Sequence, residues 1–231
     1  MTAEEMMAQV LNPDYEELDG RLSNDLLSAF HGGYPIENLK LLINSDLLNA
    51  RGTAAFIATE LGLKAAPLLE DIASLLEMPT ARARYDALEA LWKCSTFKDG
   101  WAIGAVLRCL EDPWPGVRAG AIDAIRLADR KVLLAGFKYL KTEYPTTIYT
   151  EFGSAFLRAE RGKIEVLESL IDHEDPIARR FGVGLATRPR LVVDEARLQT
   201  AMKSSDEEIS EFATSAKSHV LPPWATLTSS L

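Results

Sequence analysis

Histidine and cysteine are the residues of this chain best suited to hold a metal ion or to act in nucleophilic catalysis. The chain has three histidines, His31, His173 and His219, and two cysteines, Cys94 and Cys109. The histidines are widely separated in sequence, and both cysteines fall inside apolar helical patterns. No Cys-x-x-Cys pair, His-Glu-x-x-His motif, Gly-x-Ser-x-Gly elbow or phosphate-binding glycine loop occurs. We therefore predict that the chain is not an enzyme and has neither a metal site nor a cofactor.

A second set of residues has the chemistry to bind another protein. Acidic and aromatic side chains recur at positions that face outward on the helices predicted below. Together they form a row that suits a basic or mixed protein partner. The alternative is that these residues form ordinary solvated helix faces, with the tyrosines half-packed. The row consists of Phe56, Glu60, Tyr85, Asp86, Glu89, Lys93, Asp123 and Tyr149.

Composition excludes several other kinds of ligand. The chain has 231 residues and a formal net charge of -9, and residues 1–35 contain seven acidic residues against one basic residue. Binding to duplex nucleic acid requires positive charge against the phosphates, so direct nucleic-acid binding is disfavoured. The sequence contains no apolar run of about 18 residues, so we predict no membrane span. The acidic N-terminus also lacks the pattern of a secretory signal. We expect a cytoplasmic protein with free thiols and no membrane contact.

The spacing of apolar residues places the row on helices. Arg118 is followed by apolar residues at intervals of three, four and seven, which share one face of an α-helix. Leu110, eight residues before Arg118, is the last apolar residue of a preceding helix. Between the two helices Pro113 ends the first, because proline cannot continue a helix, and Pro115 is tolerated in the first turn of the second.

The same frame occurs six times along the chain. A two-helix period of 30 to 34 residues is typical of α-solenoids, in which each hairpin buries its apolar face by stacking on its neighbours. We predict an all-α protein with about six two-helix repeats over residues 36–218, an acidic helical cap over 1–35 and a tail over 219–231, together one domain. Its second helices would line a concave face. The frames are centred on Arg51, Arg84, Arg118, Ile148, Arg179 and Ser210.

The third copy, LEDPWPGVRAGAIDAI, is similar to the HEAT-like repeat of the short bacterial and bilin-lyase type. The copies at Arg51 and Arg84 keep the arginine but lack its Asp-Pro pair. The resemblance implies that the four arginines Arg51, Arg84, Arg118 and Arg179 support packing between successive repeats. The repeat pattern is filled by Asp112, Pro113, Val117, Arg118 and Ala121, and again by Asp175, Pro176, Arg179 and Arg180.

Size, acidity and opening motif also resemble small standalone bacterial HEAT-repeat proteins, some of which are toxin immunity proteins. This resemblance implies a cytoplasmic protein that binds and neutralises a toxin, such as a basic toxin domain, through its concave face. One alternative is an adaptor or scaffold subunit of a larger complex. Another is a HEAT-like enzyme such as a bilin lyase or a DNA glycosylase, although an acidic groove argues against DNA and nothing in the sequence marks chromophore chemistry.

Overall fold

The polypeptide is built from helices throughout the part of the chain that the structure describes. The structure is a computed structural model that describes residues 1–15, 20–188 and 195–218, and within these ranges it contains no strand. This confirms the predicted all-α class. In chain order the α-helices are α1 (Ala3–Val10), α2 (Arg21–His31), α3 (Leu39–Ile43), α4 (Leu48–Leu61), α5 (Leu69–Ala73), α6 (Ala81–Cys94), α7 (Gly100–Arg108), α8 (Pro115–Leu127), α9 (Arg130–Glu143), α10 (Tyr149–Glu160), α11 (Ile164–Ile171), α12 (Pro176–Ala186), α13 (Glu195–Met202) and α14 (Glu207–Ser218).

The helices after α2 form six consecutive hairpins, α3/α4, α5/α6, α7/α8, α9/α10, α11/α12 and α13/α14, here called hairpins 1 to 6. Each predicted frame falls on the second helix of one hairpin, or on its N-cap in the case of Ile148, so the two-helix repeat of an α-solenoid is confirmed. Short 3₁₀ segments extend the first helices of hairpins 1 to 3, at Ile36–Asn38, Gly62–Leu68, Ser74–Glu77 and Cys109–Glu111.

Local sequence explains where the second helices begin. Pro115 is the first residue of α8, and Pro176 is the first residue of α12. A proline at this position loses no helical hydrogen bond and already has a helical φ angle. The side chain of Asp175 adds an N-cap, because it accepts a hydrogen bond from the backbone N–H of Ile177 at 2.8 Å.

The described residues cluster into two compact units, Met1–Ser95 and Thr96–Leu231, called unit 1 and unit 2 below. The domain boundaries predicted from the sequence stay predictions, and the predicted tail, residues 219–231 with His219, lies outside the described residues. No helix among residues 1–15, 20–188 and 195–218 is long and apolar enough to cross a membrane.

Unit 1 contains the N-terminal helical pair and hairpins 1 and 2. Helix α2 packs on α4, and α4 packs on α6, so three successive second helices lie side by side. Leu22, Leu26 and Phe30 of α2 are buried, as are the apolar residues that the repeat frame placed on the inner face of α4 and α6. Helix α2 of the N-terminal pair therefore packs against hairpin 1.

Unit 2 contains hairpins 3 to 6, and its first helices approach each other closely. A Cβ atom at Gly104 of α7 would lie 2.4 Å from Cδ1 of Tyr139, and one at Gly136 of α9 would lie 2.4 Å from Cγ2 of Ile103. Real side chains do not tolerate such distances, so α7 and α9 can pack at this separation only because these positions have no side chain.

The second helices of unit 2 are arranged in an order that the sequence does not suggest. Helix α12 of hairpin 5 packs directly on α8 of hairpin 3, whereas α10 of hairpin 4 packs on α9, α11 and α12. A Cβ atom at Gly184 of α12 would lie 2.9 Å from Cγ2 of Ile125 on α8. The expectation that each hairpin contacts only its immediate neighbours is therefore wrong within unit 2. The bypassed hairpin is the degenerate copy, in which Ile148 replaces the arginine.

Candidate protein-interaction surface

The arginine at the centre of each clear repeat frame holds the turn between the two helices of its hairpin. In hairpin 3, Nη1 of Arg118 donates to the carbonyl oxygens of Asp112 at 2.9 Å and Pro113 at 3.0 Å. These carbonyls precede the second helix and have no partner within a helix. The arginine therefore fixes the direction in which α8 leaves the turn.

The same contact recurs in two further hairpins. Nη1 of Arg84 donates to the carbonyls of Met78 and Pro79 at 2.9 and 3.1 Å, and Nη1 of Arg179 donates to those of His173 and Glu174, both at 2.9 Å. In all three hairpins the acceptors lie five and six residues before the arginine. These arginines thus brace the turn of their own repeat, and two of them, Arg118 and Arg179, also contact acids of hairpin 6.

Arg51 of hairpin 1 departs from this pattern. Its Nη2 donates to the carbonyl oxygen of Ser74 in hairpin 2 at 3.1 Å, which is a contact between successive repeats. Its Nε is buried and has no hydrogen-bond partner within the described part of the chain. A buried donor without an acceptor is destabilising, so we expect Arg51 to stabilise the fold less than Arg84, Arg118 and Arg179 do.

The predicted row of partner-binding residues divides between the two units. Six of its eight members lie on α4 and α6 of unit 1, which pack side by side. The other two, Asp123 and Tyr149, belong to α8 and α10 of unit 2. We call the six unit 1 residues the α4–α6 surface: Phe56, Glu60, Tyr85, Asp86, Glu89 and Lys93.

Asp86 is not an exposed acid, so its predicted outward position is wrong. The residue is only 3% exposed, and its carboxylate accepts hydrogen bonds from Nε of Arg82 at 2.8 and 3.0 Å. Burial raises the pKa of Asp86 above its ordinary value, and the hydrogen bond and charge of Arg82 partly oppose that rise. Neighbouring Arg82 remains largely exposed and covers the acid.

Two further acids of the row are also neutralised by cations on their own helix. Glu89 pairs with Lys93 four residues later and accepts a hydrogen bond from Nε1 of Trp92 at 3.2 Å. Asp123 of α8 accepts from Nε of Arg126 at 2.8 Å. The acidic groove expected from the sequence is therefore mostly a set of intrahelical ion pairs.

Among the residues that the structure describes, Glu60 is the acid of the row that forms no ion pair within 4 Å, although its charge raises the pKa of Arg82. It is exposed on the last turn of α4, four residues after the half-buried Phe56, and therefore on the same helix face. Its negative charge contributes to the raised pKa of Asp86, which places it within electrostatic reach of that buried pair. Half-buried Tyr85 on α6 completes a surface that combines one free carboxylate with two aromatic rings.

Tyr149 is buried, so the prediction that it faces outward is also wrong. Only 2% of the residue is exposed, its ring lies 5.2 Å from that of Phe152, and its hydroxyl donates to the Glu111 carboxylate. Burial, together with the bond to Glu111, raises the pKa of Tyr149. Tyr149 begins α10 of the degenerate repeat, where the frame no longer predicts orientation, and it links hairpins 3 and 4.

The residues suited to metal binding or nucleophilic catalysis are not brought together. Among the residues that the structure describes, no group of three histidine, cysteine or acidic side chains could hold a metal ion. Nδ1 of His173 accepts from the backbone N–H of Asp175 at 3.0 Å, and His31 is exposed at the end of α2. Cys94 is buried, and burial raises the pKa of its thiol to about 11, which disfavours the nucleophilic thiolate.

Sequence reasoning overlooked the partners that neutralise the row. Arg82 lies four residues before Asp86, and Arg126 lies three residues after Asp123, which are the spacings at which helical side chains meet. This signal was present in the sequence. The roles of Arg180 and Glu208, described below, carry no comparable local signal, because each acts on residues at least 28 positions away.

Comparison with known proteins gives likeness to solved structures alone. No family model matches the sequence, and none of the curated proteins does. The chain is similar to the archaeal HEAT-like repeats protein from Thermococcus onnurineus NA1, with a TM-score of 0.49, 14% identity and coverage of 94% of this chain and 98% of that chain. It is also similar to an engineered protein, with a TM-score of 0.43, 16% identity and coverage of 95% and 90%.

Proposed function

We propose that the chain is a non-catalytic, protein-binding helical-repeat protein and that the α4–α6 surface contacts its partner. The observation that carries this proposal is the exposed carboxylate of Glu60 beside Phe56 on a second-helix face. Aromatic side chains are enriched in protein interfaces, and tyrosine is among the residues that contribute most to binding energy. Second helices are also the part of helical-repeat proteins that commonly forms extended binding surfaces.

The charges of the surface define the chemistry of the partner. Asp86 and Glu89 are already paired with Arg82 and Lys93, so the face as a whole is close to neutral apart from Glu60. A strongly basic partner would gain little from the paired acids, because it would have to compete with cations on the same helix. We infer a partner that places a single lysine or arginine against Glu60, surrounded by apolar or aromatic side chains.

The finer form of the proposal is that the partner is a toxin domain and that the chain is its cytoplasmic immunity protein. The near-neutral α4–α6 surface suits a mixed toxin surface with one basic contact better than a uniformly basic one. In that case, co-production of the chain should restore growth to cells that produce the toxin. The same variants that weaken binding should fail to restore growth.

The proposal is tested by capturing partners with purified wild-type protein from a lysate of the source organism and comparing surface variants. Glu60→Arg reverses the free charge without touching the core. Glu70→Arg on α5 is the matched control, because it makes the same charge change at an exposed site of unit 1 on a first helix. We expect a stoichiometric partner that Glu60→Arg and Phe56→Ala lose and Glu70→Arg retains. Equal capture by all four proteins would refute the role of this surface.

A further inference from the structure

Three arginines of unit 2 converge on the first turn of α14. Nε and Nη2 of Arg118 donate to the two carboxylate oxygens of Glu208 at 2.7 and 3.2 Å, and Arg180 donates to the same carboxylate through Nε and Nη2, both at 3.2 Å. Nε of Arg179 donates to the Asp206 carboxylate at 2.7 Å. We call Arg118, Arg179 and Arg180 the arginine cradle.

The arginine cradle is positioned by main-chain carbonyls that do not belong to hairpin 6. Arg118 is held by the turn of hairpin 3, and Arg179 by the turn of hairpin 5, through the Nη1 contacts described above. Nη1 of Arg180 donates to the carbonyl oxygen of Leu110 in hairpin 3 at 2.9 Å. Each guanidinium therefore keeps its position and orientation without the acids that it binds, which is the definition of a preorganised site.

The geometry matches what carboxylates require. A planar guanidinium presents parallel donors that bind the two oxygens of a carboxylate side by side, and Arg118 binds Glu208 in this way. The side chains of Arg118, Arg180 and Glu208 are 14 to 17% exposed, so the pairs are shielded from water but not sealed from it. Near Glu208 two positive charges face one negative charge, which leaves the cradle with a net attraction for anions.

We propose that the arginine cradle is a binding site for an acidic peptide segment with two carboxylates two residues apart, and that hairpin 6 occupies it as an internal ligand. This proposal is independent of the function assigned to the α4–α6 surface. An incoming acidic segment exchanges one carboxylate for another, so the desolvation of the arginines does not change. Removing Glu208 without replacement is unfavourable, because two shielded cations then lose their shared counter-charge.

The first experiment is chemical rescue with sodium acetate. Glu208→Ala removes the internal carboxylate, and Glu207→Ala is the matched control, because Glu207 is the exposed neighbour on the same helical turn. We expect acetate to raise the Tm of Glu208→Ala above its value in sodium chloride of equal ionic strength, since a ligand of the folded state alone stabilises it. Wild type and Glu207→Ala should show only the smaller difference between the two salts that general salt effects produce.

Two outcomes of this experiment would overturn the proposal. One is an identical response of Glu208→Ala to acetate and chloride, which would show that the cradle does not bind a free carboxylate. The other is a response to inorganic phosphate that, after subtraction of the wild-type response to the same salt, is larger than the response to acetate, which would show a general anion site. If Glu208→Ala does not fold, Glu208→Gln removes the charge while keeping the length of the side chain, and the same comparison applies to it.

The second experiment uses a fluorescent peptide with the sequence SSDEEISEF, residues 204–212 of this chain. We expect it to bind the full-length double variant Asp206→Ala/Glu208→Ala about tenfold more tightly than wild type, because the cradle is occupied in the wild type. Adding Arg180→Ala to the double variant should abolish the gain. Equal binding to wild type and double variant, or unchanged binding after Arg180→Ala, would contradict an acidic-peptide site.

Discussion

The second helices of unit 1 and unit 2 follow the same sequence frame but differ in whether their outer faces are exposed or packed. In unit 1, α4 and α6 leave exposed a face on which the acids of α6 pair with cations of the same helix, while Glu60 of α4 is exposed. In unit 2, α12 packs on Ile122 and Ile125 of α8 through the face that carries Gly184, and residues from hairpins 3, 5 and 6 are joined by arginines. The frame therefore sets which residues form the core of a hairpin, but it does not decide whether the opposite face is a surface or an internal contact.

One position of the frame accounts for much of this difference. The residue five positions after the arginine at the centre of the frame is Phe56 in hairpin 1 and Glu89 in hairpin 2, whereas it is Gly184 in hairpin 5. A large side chain keeps other helices away from this face. Gly184 lets α12 approach until its backbone touches Ile125 and the carbonyl of Ile122 on α8. Gly184 therefore permits the close approach of α12 to α8.

Removing the anchor arginine should have the largest effect, and the effect should differ between the units. Arg118→Met removes two turn contacts and leaves Glu208 with one arginine, so we expect a loss of about 3 kcal/mol in the free energy of unfolding. Arg51→Met removes one hydrogen bond and also a buried donor that has no acceptor, so the loss should stay below about 1 kcal/mol. Urea unfolding followed by circular dichroism measures both.

The control for this pair is another arginine-to-methionine substitution, at a site where the arginine contacts neither a turn carbonyl nor another hairpin. Arg161→Met, at an exposed site after α10, should leave the free energy of unfolding within about 0.5 kcal/mol of wild type. Equal losses for Arg118→Met and Arg51→Met would mean that the two anchors are equivalent and that hairpin 6 adds nothing to Arg118.

Adding a methyl group to a second helix should have effects of opposite sign in the two units. A Cβ atom at Gly184 would overlap Ile125, which is buried and cannot move away, so Gly184→Ala should lower the free energy of unfolding by about 2 kcal/mol. At Gly52 of α4 a Cβ atom has no neighbour within 4 Å, so Gly52→Ala should raise it by about 0.5 to 1 kcal/mol through helix propensity. Thermal unfolding of the two variants in parallel gives both signs, and a stable Gly184→Ala protein would contradict the close packing of α8 and α12.

The hairpins were predictable because their signals are local. These signals are the helical periodicity, the prolines Pro115 and Pro176, and the spacing of the apolar residues around the arginine at the centre of each frame. Each acts over a few residues, and in the structure both prolines begin a helix as predicted. The pairing of Asp86 with Arg82 was equally local and could have been deduced from the i to i+4 spacing.

The order of packing in unit 2 could not be deduced in the same way. Arg180 donates to Leu110 across 70 residues, and Arg118 donates to Glu208 across 90. The repeat frame predicts that hairpin 4 lies between hairpins 3 and 5. The residues of hairpin 4 do not indicate that α12 of hairpin 5 packs directly on α8 of hairpin 3. Tyr149 was misplaced for a related reason, because its frame lacks the arginine that fixes where the second helix begins.

The smallest expected effect is a pH dependence that separates the buried acid of the α4–α6 surface from the exposed one. Burial raises the pKa of Asp86, so the folded state binds a proton there more tightly than the unfolded chain does. The stability that this group contributes is therefore present at low pH and is lost as the pH rises from its unfolded pKa through its folded pKa. In Asp86→Asn this loss is absent, so the stability of the variant relative to wild type should increase as the pH rises from about 4.

Glu60→Gln tests the same group from the exposed side, because the charge of Glu60 contributes to the raised pKa of Asp86. Removing that charge should bring the pKa of Asp86 closer to its ordinary value and so weaken the pH dependence that Asp86 causes. Urea unfolding at a series of pH values measures both curves. If Asp86→Asn instead loses relative stability as the pH rises, then the ion pair with Arg82 outweighs burial, and Asp86 stabilises α6 as a charged group.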